Sequence, residues 1–126
     1  FEIEHIWADK YEEHKDEFEQ RDEFEKYRNN IGALILVQRG FNQSYNDLPY
    51  KDKLPHYLGQ NLLAKSLHHQ TYEKNPSFLS FIKKSGLSFK AHPEFKKLDI
   101  LERQKLYQEI CEIIWSLDNF DKIKVR

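Results

Sequence analysis

An α+β fold, mostly helical, is predicted for this 126-residue chain by three observations. Phe1 to Ile6 alternates apolar and polar residues, and Ala33-Leu34-Ile35-Leu36-Val37 is a continuous apolar run, so both read as strands. The second half is helical in pattern. Its clearest stripe is Leu106, Ile110, Ile113, Ile114 and Leu117, at i, i+4, i+7, i+8 and i+11. The length, with 39% hydrophobic and 33% charged residues, suits one domain with a modest core.

The elements follow in order. Residues 9–28 are rich in Glu, Lys, Asp and Arg, with Phe18, Phe24 and Tyr27 as a partial stripe, and are expected to form one or two surface helices. Asn29-Asn30 before Gly32 marks a turn into a buried second strand over 33–37. Arg39-Gly40-Phe41-Asn42 is a turn, and a short helix is expected to begin near Asn42. Pro49 fits the first turn of a helix over about 49–56. Helical spacing continues through Leu62, Leu63, Ser66 and Leu67. Asn75-Pro76-Ser77 starts another helix that Gly86 ends, residues 87–97 are irregular, and a last helix runs from about 98 to 117. The expected core is Leu34, Leu36, Leu62, Leu63, Leu67, Phe78, Phe81, Ile110, Ile114 and Trp115, with Trp7 and Trp115 as anchors.

Composition removes several classes. No apolar run is long enough to span a membrane. Cys111 is the only cysteine, which excludes a disulfide framework or a cysteine-ligated zinc within one chain; its apolar surroundings predict a buried or half-buried thiol. The chain opens inside a strand and contains no methionine, so it reads as an excised piece of a longer protein. The net charge of −1 hides an asymmetry. Residues 1–27 hold 11 acids and 4 bases, a net −7, and residues 28–126 hold 16 bases and 10 acids, a net +6. The basic remainder is able to track phosphates.

Chemistry concentrates where Glu4-His5 closes the first strand and Asn42 follows the second. Phosphodiester hydrolysis needs a base that titrates near neutrality and charge neutralisation at the departing oxygen. Histidine suits the first need. A carboxylate and an amide oxygen suit a hard cation that keeps several waters. This is a one-metal nuclease pattern of the ββα-metal, or His-Me finger, type. The alternative for Glu4-His5 alone is an edge strand with a surface acid and a half-buried histidine. Neighbouring strand residues point to opposite faces, so a shared site requires the strand to end or twist here. His68-His69 diverge on a helix and are read as surface or packing residues. His14, His56 and His92 have no partner pattern, and Arg103 is a candidate ion-pair partner for an acid of the helical part.

The stretches Ile3-Glu4-His5-Ile6-Trp7, Arg28-Asn29-Asn30-Ile31-Gly32-Ala33-Leu34-Ile35-Leu36, Phe41-Asn42-Gln43-Ser44 and Pro49-Tyr50-Lys51-Asp52-Lys53-Leu54 occur in that order. They continue through Tyr57-Leu58-Gly59-Gln60-Asn61-Leu62-Leu63-Ala64-Lys65-Ser66-Leu67, Arg103-Gln104 and Ile114-Trp115-Ser116. In this the chain resembles the HNH-type C-terminal domain of GmrSD-like proteins, modification-dependent restriction nucleases of bacteria. The resemblance implies a single HNH-type nuclease domain over 1–126, a C-terminal fragment with a ββα-metal core over 1–60 and a helical scaffold over 61–126. It implies His5 as general base, Glu4 in place of the usual Asp metal ligand, Asn42 as second ligand, and Mg²⁺ or Mn²⁺ as cofactor. Double-stranded DNA would be the substrate, cut to leave 5′ phosphates in phage defence. An N-terminal nucleotide-binding domain related to the ParB fold would complete the protein in a bacterial cytoplasm.

The family often has Gly-Asn-Leu where this chain has Gly32-Ala33-Leu34. Asn30 is the candidate replacement, fixing the loop or the His5 ring, with a plain turn residue as the alternative. Asn46, four after Asn42, is a candidate further ligand, and Arg28, Arg39, Lys51 and Lys53 are candidate phosphate contacts. A degenerate nuclease fold that binds DNA or a protein is the second reading, and an RNA-cutting toxin the third.

Overall fold

The computed structural model describes residues 1–116. β1 (Glu2–His5) and β2 (Leu34–Val37) form a two-stranded antiparallel sheet, with Glu2 opposite Val37, Ile3 opposite Leu36, Glu4 opposite Ile35 and His5 opposite Leu34. Between them lie a 3₁₀ turn at Tyr11–His14, helix α1 (Arg21–Arg28) and a 3₁₀ turn at Ile31–Ala33. After β2 come α2 (Phe41–Tyr45), α3 (Tyr50–Tyr57), α4 (Leu62–Lys65), α5 (Pro76–Ser85) and α6 (Lys97–Ile114). The fold is small, mixed and mostly helical around one two-stranded sheet. Among the described residues no helix is long and apolar enough to cross a membrane.

Local chemistry sets the boundaries. Gly40 takes a φ of 96°, which a residue with a Cβ adopts at a cost, and so turns the chain from β2 into α2. Asn61 and Asn75 cap α4 and α5, accepting from the backbone N–H of Ala64 and Phe78 at 3.1 and 3.3 Å. Asp99 accepts the Lys96 N–H at 2.8 Å at the start of α6.

The segment between the strands is part of the core, because Phe18 and Phe24 are fully buried. Trp7 stacks on Phe24 with ring centroids 5.7 Å apart and 8° between planes. Its indole N–H donates to the Phe95 carbonyl at 2.7 Å, tying β1 to the loop before α6. Ile35, Val37, Phe41 and Tyr57 complete the packing under the sheet. A second cluster joins Phe78, Leu87, Phe89 and Leu106.

Several sequence expectations are corrected here. β2 is covered on one face only: Ile35 and Val37 are buried, whereas Leu36 is 55% exposed. Leu67 and Phe78 are core residues as expected, but Leu62, Phe81, Ile114 and Trp115 are exposed, Trp115 to 73%. α6 buries its N-terminal part through Ile100, Arg103 and Leu106, and its C-terminal half runs past the core. Cys111 is therefore exposed, and Leu117 lies outside the described residues. Arg103 is buried without an acid; it donates to Ser66 Oγ at 2.9 Å, the Leu63 carbonyl at 2.8 Å and Tyr107 Oη at 3.1 Å. The uncovered sheet face and α6 border an apolar groove of about 420 Å³, lined by Ile3, Leu34, Leu36, Leu63, Ile110 and Cys111 among others.

The turn into β2 is pressed onto α6. A Cβ on Gly32 would collide with the Ile100 carbonyl oxygen and lie 2.8 Å from the Gln104 nitrogen, both backbone atoms of α6. Gly32→Ala is expected to destabilise by at least ~1–3 kcal/mol, the usual cost of overpacking, read as a lower denaturant midpoint. Burial holds His14 and His92 below the ordinary imidazole value, with nearby acids opposing. The unfolded chain then binds more protons than the folded one below ~6.5. The thermal midpoint is expected to hold above that pH and to fall as pH drops from about 6.5 toward 5.

Candidate active site

Strand alternation separates the first two candidate residues. Glu4 points beneath the sheet and is 1% exposed, whereas His5 is half-buried on the other face, beside the exposed Ile3 side. β1 ends at His5, and the next residue, Ile6, donates its N–H to the Ala33 carbonyl at 2.9 Å.

Beneath the sheet, Glu4 meets α3. The Lys53 ammonium lies 3.4 Å from Glu4 Oε2 and donates to the His5 carbonyl at 2.8 Å. Tyr57, one helical turn on, donates its hydroxyl to the same Glu4 oxygen at 3.2 Å. Burial pushes the Glu4 carboxyl up, against the opposing pull of Lys53 and Tyr57. Burial likewise pushes Lys53 down, against the pull of Glu4. Taking both charges out of water outweighs their attraction, as is common for an enclosed pair. Lys53 is fully buried, so the expectation that it reaches a phosphate does not hold: its ammonium is committed to the β1 backbone and Glu4.

On the other face, His5 Nε2 lies 2.8 Å from Asn29 Oδ1. Burial lowers the imidazole's affinity for a proton, the Asn29 bond opposes this, and the Arg28 and Lys53 charges lower it further. The ring is thereby biased toward the neutral form that a general base requires. Arg28 donates its Nε–H to the Trp7 carbonyl at 2.9 Å, bracing the segment after His5.

Asn42 is attached to β1 by two bonds. Its backbone N–H donates to Glu2 Oε1 at 3.0 Å, and its side-chain Nδ2 donates to the Ile3 carbonyl at 2.8 Å. Its Oδ1 is buried and has no hydrogen-bond partner among the described residues. An orphaned amide oxygen is costly unless something outside the chain uses it. An amide oxygen and a carboxylate are the donor types a hard divalent cation takes, and Asn42 and Glu4 each supply one of them. Against that fit, the Glu4 charge is already matched by Lys53.

The remaining candidates spread out. Asn30 does not touch His5; it fixes the loop, accepting from the Gly32 N–H at 2.8 Å and donating to Gln104 Oε1 at 3.0 Å. The ring contact comes from Asn29 instead. Asn46 is exposed at the end of α2, and Lys51 and Arg39 are exposed near the same elements. Sequence reasoning missed the Asn29 contact to His5 and the Tyr57 bond to Glu4. The second was accessible, because Lys53 and Tyr57 stand at i and i+4 on one helix and must share a face.

His92 was also given no partner, yet it is buried with Nδ1 2.7 Å from Asp99 Oδ1. His92, Asp99 and Glu102 bring ligand atoms within 4.8 Å of one another. Both carboxylates there are already engaged, Asp99 by the Lys96 N–H at 2.8 Å and Glu102 by Lys90 at 2.5 Å.

No curated protein and no solved structure matches the chain. Residues 1–110 match the model of one family, described as GmrSD restriction endonucleases, C-terminal domain. That match takes in every candidate residue, from Glu4 to Lys53, and the chain belongs to this family of restriction-endonuclease C-terminal domains.

Proposed function

We propose that this domain is a metal-dependent DNA endonuclease of the HNH, or His-Me finger, type, the cleavage module of a modification-dependent restriction protein in bacterial phage defence. The observation that supports it most is an orphaned amide oxygen on α2, on a side chain bonded to the strand that ends in the half-buried His5. Asn42 is bonded to the Ile3 carbonyl, two residues before His5.

His5 takes a proton from a water that attacks phosphorus. Glu4 and Asn42 Oδ1 would hold Mg²⁺ or Mn²⁺, with Asn46 as a further oxygen donor. A divalent cation, when bound, neutralises charge on the phosphate and the leaving 3′ oxygen. Asn30 holds the loop that leads into β2. Arg28, Arg39 and Lys51 contact flanking phosphates of a duplex, fixing register without reading sequence. The product carries a 5′ phosphate. An N-terminal nucleotide-binding domain of the same protein governs when DNA reaches the site, in the bacterial cytoplasm.

A non-catalytic nuclease-fold module that binds DNA or a protein is the second reading. The Glu4–Lys53 pair favours it, since that carboxylate is neutralised without any metal.

Supercoiled plasmid incubated with the domain and Mg²⁺ or Mn²⁺ separates the two. Nicking is expected, lost with EDTA and reduced by ~10²–10⁴-fold in His5→Ala, the range a general base contributes. Asn42→Ala is expected to lose nicking and to weaken Mn²⁺ binding measured calorimetrically. Nicking that survives His5→Ala overturns the mechanism, and DNA binding without nicking in any metal supports the second reading.

A further inference from the structure

The tautomer of His5 is dictated by a neighbour outside the reacting groups. Asn29 is the residue that follows α1, where the last carbonyls of a helix lack intrahelical partners. One of these, the Glu25 carbonyl, receives both the Asn29 backbone N–H and the Asn29 side-chain Nδ2–H, each at 3.0 Å. The amide is thereby oriented. Turning it over would set Oδ1 against the Glu25 carbonyl oxygen, two acceptors with no proton between them. With Nδ2 spent on Glu25, Oδ1 is the atom that faces His5 Nε2 at 2.8 Å. A carboxamide oxygen only accepts, so Nε2 must carry the proton.

The consequence falls on the other ring nitrogen. In a neutral imidazole with Nε2–H, Nδ1 holds the free lone pair. Nδ1 has no hydrogen-bond partner among the described residues, and it is not one of their buried unpartnered atoms, which are Asn42 Oδ1 and Arg103 Nε. The lone pair is open to water.

We infer that Asn29 is a positioning residue that locks His5 as the Nε2–H tautomer, so that Nδ1 is the atom that accepts the proton of the attacking water. The inference rests on the nuclease reading for its purpose, but the tautomer itself does not depend on cleavage. The lock also ties the ring to the end of α1, so the segment between the strands supplies a part of the site that neither strand carries.

Two measurements test it on the whole chain labelled with ¹⁵N histidine, at about pH 8, well above the ordinary imidazole value of ~6.5. Two-bond proton–nitrogen correlation spectra distinguish protonated from unprotonated ring nitrogens, and the His5 signals are identified by their loss in His5→Gln. Wild-type His5 is expected to show protonated Nε2 and bare Nδ1. Asn29→Ala is expected to shift the ring toward a tautomer mixture. Asn29→Asp, which keeps an acceptor oxygen, is expected to hold the wild-type form.

In the nicking assay, Asn29→Ala is expected to lower kcat by at least about tenfold with KM little changed, and Asn29→Asp to recover part of it. The loss stays within the ~10²–10⁴-fold that a general base contributes. A wild-type Nδ1–H, or a tautomer unaltered in Asn29→Ala, overturns the inference even if the domain cuts DNA. An inactive wild type with the expected tautomer and the expected Asn29→Ala shift overturns the nuclease reading and leaves the Asn29 lock standing.

Discussion

A β-strand sends adjacent side chains to opposite faces, and that geometric rule organises this molecule. Glu4 and His5 are neighbours in sequence but face different environments. Glu4 enters the space between the sheet and α3, where Lys53 and Tyr57 meet it. His5 stays on the side where Ile3 and Leu36 are exposed, with Asn29 against its ring. Both residues are held by pairing with β2, Glu4 opposite Ile35 and His5 opposite Leu34, and β1 ends at His5. The two halves of the site are thus held by different elements, α3 below and the end of α1 above.

The Glu4–Lys53 contact is the electrostatic cost at the centre of this arrangement. Two charges in a nearly closed space lose hydration that their mutual attraction recovers only in part, and both titrations are displaced toward the neutral forms. Lys53 offsets some of this by donating to the His5 carbonyl, and Tyr57 by donating to the carboxylate. The same contacts join α3 to the strand that carries His5. An interaction of little net stability therefore fixes the relative position of three elements.

Much of this could be read from the residues. The two strands, the turn at Asn29-Asn30-Gly32, the short helix at Asn42 and the cap at Asn75-Pro76 follow from alternation, turn chemistry and capping, which are local properties. Burial was harder. Leu36 and Ile114 have the same hydrophobicity as core residues, and only the folded arrangement shows that they stay about half exposed. Two-stranded sheets cover one face, and the run Leu34–Val37 does not announce which. The partners of Glu4 and His5 were hidden for another reason. Lys53 and Asn29 lie 49 and 24 residues from them, and pairings at that distance depend on the tertiary path of the chain. Lys53 read as a surface lysine because most lysines are exposed. Asn29 and Asn30 were interchangeable as letters; the helix end decides which of them turns toward the ring.

The 28 residues from 6 to 33 that separate β1 from β2 also govern the order in which the molecule can assemble. Strands joined by a two-residue turn pair locally and fast, whereas these must close a long loop first. Trp7, Phe18 and Phe24 share one core cluster, which draws that connection together in the folded chain. His5 and Asn29 sit at the two ends of that connection, so their contact is made only after the intervening chain has folded. The contact between His5 and Asn29 therefore depends on the chain from 6 to 33 as a packed unit, and not on the strands alone.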